Sequence, residues 1–318
     1  MREIYLDNSA TTSLCDDAIE AMNYAMGIYG NPSSLHSMGH KAQKLVDEAR
    51  ESIGNALGVR MMKPGELIFT SCGTEANNLA LFGTAYAKSR RVANKIITTD
   101  SEHPSVEKAL EALEADNFEV VRIQTRGGVL NFEQLERALD DRVFLVTMMM
   151  VNNETGAAYD LARVFHAVKQ RCPSAITHCD AVQGFLKLRF SPVALGADLV
   201  SISSHKIHGP KGIGALYVSR DILKQKKLVA RLLGGGQEFG FRSGTENVIG
   251  IAGFGAAVRA IGRSLNEKIE KLVALREYTL LKLSAIDVNL NIPIGVCAPH
   301  IINFTLPHIK SETMVHFL

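Results

Sequence analysis

Several things are scarce in this 318-residue sequence. It has no excess charge of one sign: 35 Lys and Arg stand against 33 Asp and Glu, a formal net charge of +2. The lack of a basic excess or stripe argues against a nucleic-acid-coating protein. It has no long hydrophobic run. The longest, residues 143–151 with Thr147 inside it, is about half of what a membrane span needs, so no membrane association is expected. Met1-Arg2-Glu3-Ile4-Tyr5-Leu6-Asp7 holds no apolar signal core, which argues against secretion. The five cysteines are odd in number and irregular in spacing, so they make no disulfide framework, and a reducing cytoplasm is the expected compartment. Neither a fixed-period repeat nor a low-complexity tract occurs.

What is present is the mix of a globular protein, 46% apolar and 21% charged, long enough for one large domain and a smaller one. Residues 66–70, 95–99, 118–123, 143–147, 175–179 and 198–203 read as short strands. Helical stretches lie between several of them, such as 160–170, a segment opened by Pro104, and one with Leu79, Phe82 and Tyr86 at helical spacing. This alternation predicts βαβ units and a mostly parallel sheet covered on both faces. After Gly234-Gly235-Gly236 two helical stripes follow. The first is Ile251, Phe254, Val258 and Ile261. The second is Ile269, Leu272, Val273, Leu280 and Leu283, read as a bridging helix that leads to a strand over 300–306 and a helix opened by Ser311.

Ligands of such sheets bind beyond the carboxyl ends of the strands. Three polar stretches fall there. Ser71-Cys72-Gly73-Thr74 opens a helix with small residues, which suits an anion, although Thr74 is equally a good capping residue. Ser203-Ser204-His205-Lys206 puts an amine at the end of a buried strand, where desolvation favours the nucleophilic neutral form; the plain alternative is a surface lysine in a Gly-rich turn. His178-Cys179-Asp180-Ala181-Val182-Gln183 puts a carboxylate where it needs a cationic partner, such as a protonated ring nitrogen, or caps the next turn. Zinc at Cys172, His178 and Cys179 is a poor alternative, because adjacent His-Cys lacks ligand spacing, and no metal is expected. His103, Asn153 and the Arg242-Ser243-Gly244-Thr245 stretch fall at comparable places. An amine, a carboxylate, an aromatic base and two anion cradles together suit pyridoxal 5'-phosphate (PLP).

These stretches, with Leu6-Asp7-Asn8-Ser9-Ala10-Thr11-Thr12, Gly30-Asn31-Pro32-Ser33-Ser34, Ser101-Glu102-His103 and Asn152-Asn153-Glu154-Thr155-Gly156, resemble the cysteine desulfurases of the NifS/IscS type in content and order. Those are class V members of the PLP-dependent transferase fold type I. The resemblance implies an α/β fold: a large domain over 13–255 with a seven-stranded, mostly parallel sheet, and a smaller α+β domain from 1–12 and 256–318. It implies Lys206 as Schiff-base lysine and α-proton base, Asp180 on the pyridine nitrogen and Gln183 on the ring hydroxyl. It implies His103 stacked on the ring and Asn153 beside it. Gly73, Thr74, Ser203 and His205 would hold the phosphate, with Thr245 reaching in from the partner of a homodimer. The implied reaction turns L-cysteine into L-alanine and leaves a persulfide on an enzyme cysteine, for an iron–sulfur scaffold protein, another sulfur acceptor or tRNA thiolation.

Two departures qualify it. Ser13 stands where the family usually has Pro. The sulfur-accepting cysteine and the arginine that clamps the substrate carboxylate are expected beyond the position equivalent to Leu318, and none of the five cysteines matches the former. The chain is therefore expected to bind PLP but to deliver sulfur poorly. Two other readings stand beside this one: another class V lyase or aminotransferase, such as a selenocysteine lyase-like enzyme, and a catalytically silent PLP-binding subunit.

Overall fold

The computed structural model describes residues 4–87 and 93–315; the readings at Met1, Arg2, Glu3 and Leu318 lie outside the described residues. Seven strands form the central sheet: β1 (Leu67–Thr70), β2 (Lys95–Thr99), β3 (Glu119–Ile123), β4 (Val143–Met149), β5 (Ile176–Asp180), β6 (Leu199–Ser203) and β7 (Gly214–Val218). Their order is β1-β7-β6-β5-β4-β2-β3. All neighbours are parallel except β7, which is antiparallel to both β1 and β6. Two reversals cancel, so β1 runs in the same sense as β6. Six of the seven strands thus deliver their carboxyl ends to one edge.

Both faces of the sheet are buried, which is why the strand text is continuously apolar. The period of two sends adjacent residues to different layers. Ile96, Leu145, Leu199 and Leu216 join one cluster with α3 (Gly73–Ala85) and α4 (Pro104–Ala115). Ile97, Val146, Val200 and Ala215 join the other, with α2 (Ser37–Ala56), α6 (Leu161–Arg171) and α9 (Val248–Gly262). α1 (Asp16–Met26) packs on α9, and α5 (Phe132–Ala138), α7 (Pro192–Leu195) and α8 (Arg220–Lys224) are short helices in the connections between strands. The stripe Ile251, Phe254, Val258 and Ile261 is buried as its spacing predicts.

Three expectations need adjustment. First, β7 was not foreseen. Its apolar core, Ala215-Leu216-Tyr217-Val218, is short and follows a Gly-rich turn, so its identity as a strand comes from the two partners that satisfy its backbone. Second, β5 ends on Asp180 rather than one residue before it. Third, the strand expected over 300–306 shrinks to β9 (Phe304–Thr305), antiparallel to β8 (Asn289–Leu290). A two-residue partner cannot support a longer ladder, and Ile301 turns into the core instead. The bridging helix is α10 (Leu265–Leu283), bent 74° from α9 and without a buried residue; α11 (Ser311–Val315) follows. Among the described residues no single helix is long and apolar enough to cross a membrane.

Gly214 opens β7 tightly against the turn before α3. A Cβ there would lie 2.6 Å from the Cys72 carbonyl carbon and 2.9 Å from the Gly73 nitrogen, both backbone atoms that cannot rotate away. Gly214→Ala is expected to lower the unfolding free energy by about 1–3 kcal/mol, read as a lower urea midpoint with an unchanged m-value.

Candidate active site

The shared edge of carboxyl ends collects the chemistry. Asp180 is the last residue of β5. β6 pairs beside it with Ser201 opposite Asp180, and runs on through Ser203 into a short 3-10 turn, Ser204–Lys206. β1 delivers the Cys72-Gly73-Thr74 turn, β2 leads to His103 at the start of α4, and β4 leads to Asn153. One cavity of about 800 Å3 is lined by Gly73, Thr74, His103, Asn153, Asp180, Gln183, Ser203, His205 and Lys206. Every site residue expected from the sequence is there except Thr245, which lines a separate recess with Thr70, Ser71 and Arg242.

Lys206 donates from Nζ to the Ser9 carbonyl and, at 2.8 Å, to the Ala10 carbonyl. Burial lowers its pKa, while the charges of Asp7 and Asp180 pull the other way. Gln183 Nε2 donates to the same Ser9 carbonyl at 2.8 Å. Asp180 is 5% exposed. Its Oδ1 accepts the Val182 N–H at 3.0 Å and its Oδ2 accepts Asn77 Nδ2 at 2.7 Å. Burial raises the carboxyl pKa, opposed by those two donors and by the charges of His103 and Lys206. Two residues earlier on the same face, His178 is fully buried and held down to about pKa 3 by that burial. Its ring nitrogens meet the hydroxyls of Thr147 at 2.8 Å and Ser201 at 2.9 Å, so it is a structural strut below Asp180.

The other end of the cavity suits an anion. The N-cap of α3 is Cys72, which puts Gly73 and Thr74 in the first turn, where N–H groups have no intrahelical acceptor. The cap reading of Thr74 is thereby replaced. Glu75 closes the turn from behind, accepting Ser71 N–H at 2.7 Å and Arg242 Nε at 2.9 Å. A Cβ on Gly73 would come within 2.8 Å of Val182 Cγ2. Ser203 Oγ is buried with no partner. Burial, with Lys206, Lys211 and Lys187 nearby, pushes His205 down to about pKa 4, so it enters the site as a neutral ring.

Sequence reasoning passed over Asn77, one helical turn after Gly73 and therefore on the same face of α3. It also gave no role to His300, Ile301, Ile302 and Asn303, which form the opposite wall. Of the five cysteines, all of them described, only Cys72 lines the cavity. Among the described residues no group of side chains has the arrangement of a metal site.

Glu102, beside His103, lies just behind this cavity. Its Oε1 accepts Thr99 Oγ1 at 2.6 Å and Met149 N–H at 3.0 Å, and its Oε2 is buried without a partner. Burial pushes its carboxyl up from 4.5 to about 8, with Asp180 and Glu107 adding repulsion. A raised folded-state value means stability that is complete below the unfolded value and lost as pH rises through about 8. Glu102→Gln removes this titration, so its urea midpoint is expected to gain on the wild type between pH 6 and pH 9. A midpoint difference that stays constant with pH would contradict it.

Similarity to known proteins agrees with this geometry. The Aminotransferase class-V family pattern matches residues 4–318. A protein named cysteine desulfurase from Trichormus azollae is 39% identical over 321 residues, covering 99% of this chain and 77% of its own. A solved NifS-like protein superposes with a TM-score of 0.93 at 35% identity, covering 98% of this chain and 84% of its own. A solved structure described as SspA in complex with cysteine does so at 0.82 and 31%, covering 99% and 86%. By sequence and by fold, this chain belongs to the class-V aminotransferase family.

Proposed function

We propose that the chain is a PLP-dependent cysteine desulfurase. The net reaction breaks the Cβ–S bond of L-cysteine and forms an S–S bond to an acceptor thiol on an enzyme cysteine. The acceptor's proton ends on the carbon that becomes the methyl of L-alanine. The persulfide would feed iron–sulfur cluster assembly or tRNA thiolation. The observation that carries this reading is that Lys206 and Asp180, from neighbouring strands, line one cavity whose far end is an anion cradle.

The residues present fit PLP. The orphaned Ser203 Oγ offers a donor for its phosphate, beside the first turn of α3, whose Gly73 and Thr74 N–H groups have no intrahelical acceptor. When bound, PLP supplies an aldehyde that captures an amine and a protonated ring that draws electrons from the substrate α-carbon. Gly73, Thr74, Ser203 and neutral His205 would donate to the phosphate, and Thr245 of a second copy would complete the cradle in a homodimer. Asp180 would hold the ring nitrogen's proton. Gln183 would face the ring hydroxyl, with His103 over the ring and Asn153 beside it. Lys206, whose neutral form is favoured by burial, would hold the cofactor and would take the proton from the substrate α-carbon at Nζ. Residues 13–255 would then carry the cofactor. Residues 1–12 and 256–318 would form the smaller unit, which supplies Ser9, Ala10 and the 300–303 wall of the cavity.

The test is chemical. Borohydride reduction in the presence of PLP should fix the cofactor to Lys206, as peptide mapping would show. Lys206→Ala should lose that adduct and slow alanine release from L-cysteine by roughly 10^2–10^4-fold. An adduct on any other lysine would sink the assignment.

A further inference from the structure

Two groups given separate duties above, Asp180 and His103, are joined by hydrogen bonds through two side chains that neither duty requires. Asn77 is 1% exposed. Its Nδ2 donates to Asp180 Oδ2 at 2.7 Å and to Ser105 Oγ at 2.9 Å. Ser105 Oγ in turn lies 2.8 Å from His103 Nδ1, which also accepts the Ser105 N–H at 3.1 Å. The directions follow from the donors. Both Asn77 N–H groups are used, so Ser105 Oγ accepts from Asn77 and gives its own proton to Nδ1. His103 Nδ1 is then an acceptor twice over, and the proton of the neutral ring sits on Nε2.

The arrangement is costly if it only ties α3 to α4. Asn78, next in the chain, already makes that tie, donating to the carbonyls of Thr74 at 2.9 Å and Ser105 at 3.3 Å. Asn77 leaves its own Oδ1 buried with no partner. Turning the amide over would give that oxygen no relief, because it would face the Asp180 carboxylate. Buried unsatisfied polar groups are rare in native proteins and call for an explanation where they occur.

We infer that Asn77 is a positioning residue whose amide locks the ring-nitrogen carboxylate, Asp180, and the ring-stacking imidazole, His103, into one hydrogen-bonded unit through Ser105. Asn77 keeps Asp180 supplied with a donor, which stabilises the charged form needed opposite a protonated ring nitrogen. Ser105 passes the orientation on to His103, so the two groups that would face the cofactor ring are set together. The inference rests on the PLP reading, and the experiment separates the two.

Asn77→Leu, Ser105→Ala and the double variant are compared with the wild type in two measurements. In the 318-residue protein without cofactor, histidine 15N spectra above pH 8, assigned with His103→Gln, should show His103 protonated on Nε2. Asn77→Leu should shift the His103 Nδ1 resonance although Asn77 reaches that ring by hydrogen bonds only through Ser105. The double variant should shift it no further than Ser105→Ala alone. In the second measurement, Asn77→Leu should raise the PLP dissociation constant about tenfold or more, the loss of one hydrogen bond to a charged group. Ser105→Ala should raise it less, and the double variant should match Asn77→Leu. Ser105→Ala lies at a helix start and keeps the test in hand if Asn77→Leu does not fold. Wild-type PLP affinity in Asn77→Leu, or effects of the two substitutions that simply add, would overturn the inference. A wild type that takes up no PLP would sink the functional reading instead, while the spectra would still judge the hydrogen-bonded unit.

Discussion

The arrangement depends on keeping one carboxylate, that of Asp180, charged inside the protein. An isolated buried carboxylate would simply take up a proton. Here it is the last residue of a central strand, so the sheet fixes its position, and the chain beyond it turns back to donate the Val182 N–H. Asn77 reaches it from α3, and His178 braces the same face of β5 beneath it. Asn77 comes from a distant part of the sequence, and His178 is itself held by Thr147 on β4 and Ser201 on β6. The polar cluster therefore exists only once β4, β5, β6 and α3 have come together.

The strand reversal at β7 serves the same end. If β7 ran parallel to its neighbours, its amino end would lie on the far side of the sheet. Because it is antiparallel, Gly214 meets Cys72 and Gly73 at the functional edge, and the loop that carries Lys206 is short. A chain of seven strictly parallel strands would need a long crossover at that point. The Cys72-Gly73 turn and the loop that carries Lys206 therefore meet at one edge of the sheet.

Much of this could be read in the sequence. Strand ends rich in Ser, Gly, Asp and His stood out against apolar text, and nine of the ten expected site residues meet in one cavity. Two kinds of feature were hidden. Some depend on partners, not composition: β7 is a strand because β1 and β6 flank it, and β9 is short because β8 is. Others depend on direction. Asn77 looks like any polar helix residue until its spacing from Gly73 is combined with the position of β5. Thr245 was named from the sequence, with a duty expected in a second copy of the chain, and it lines a separate recess.

Lys206 is not idle before it meets an aldehyde. Its Nζ donates to the carbonyls of Ser9 and Ala10, and Gln183 donates to the first of them as well. Those contacts hold Ser9 and Ala10 in the wall of the cavity. Any occupant that draws the nitrogen away frees one side of that clasp, and by thermodynamic reciprocity a looser leading segment makes the nitrogen easier to draw away. Filling the pocket and unlatching the amino-terminal arm are therefore two readings of a single balance.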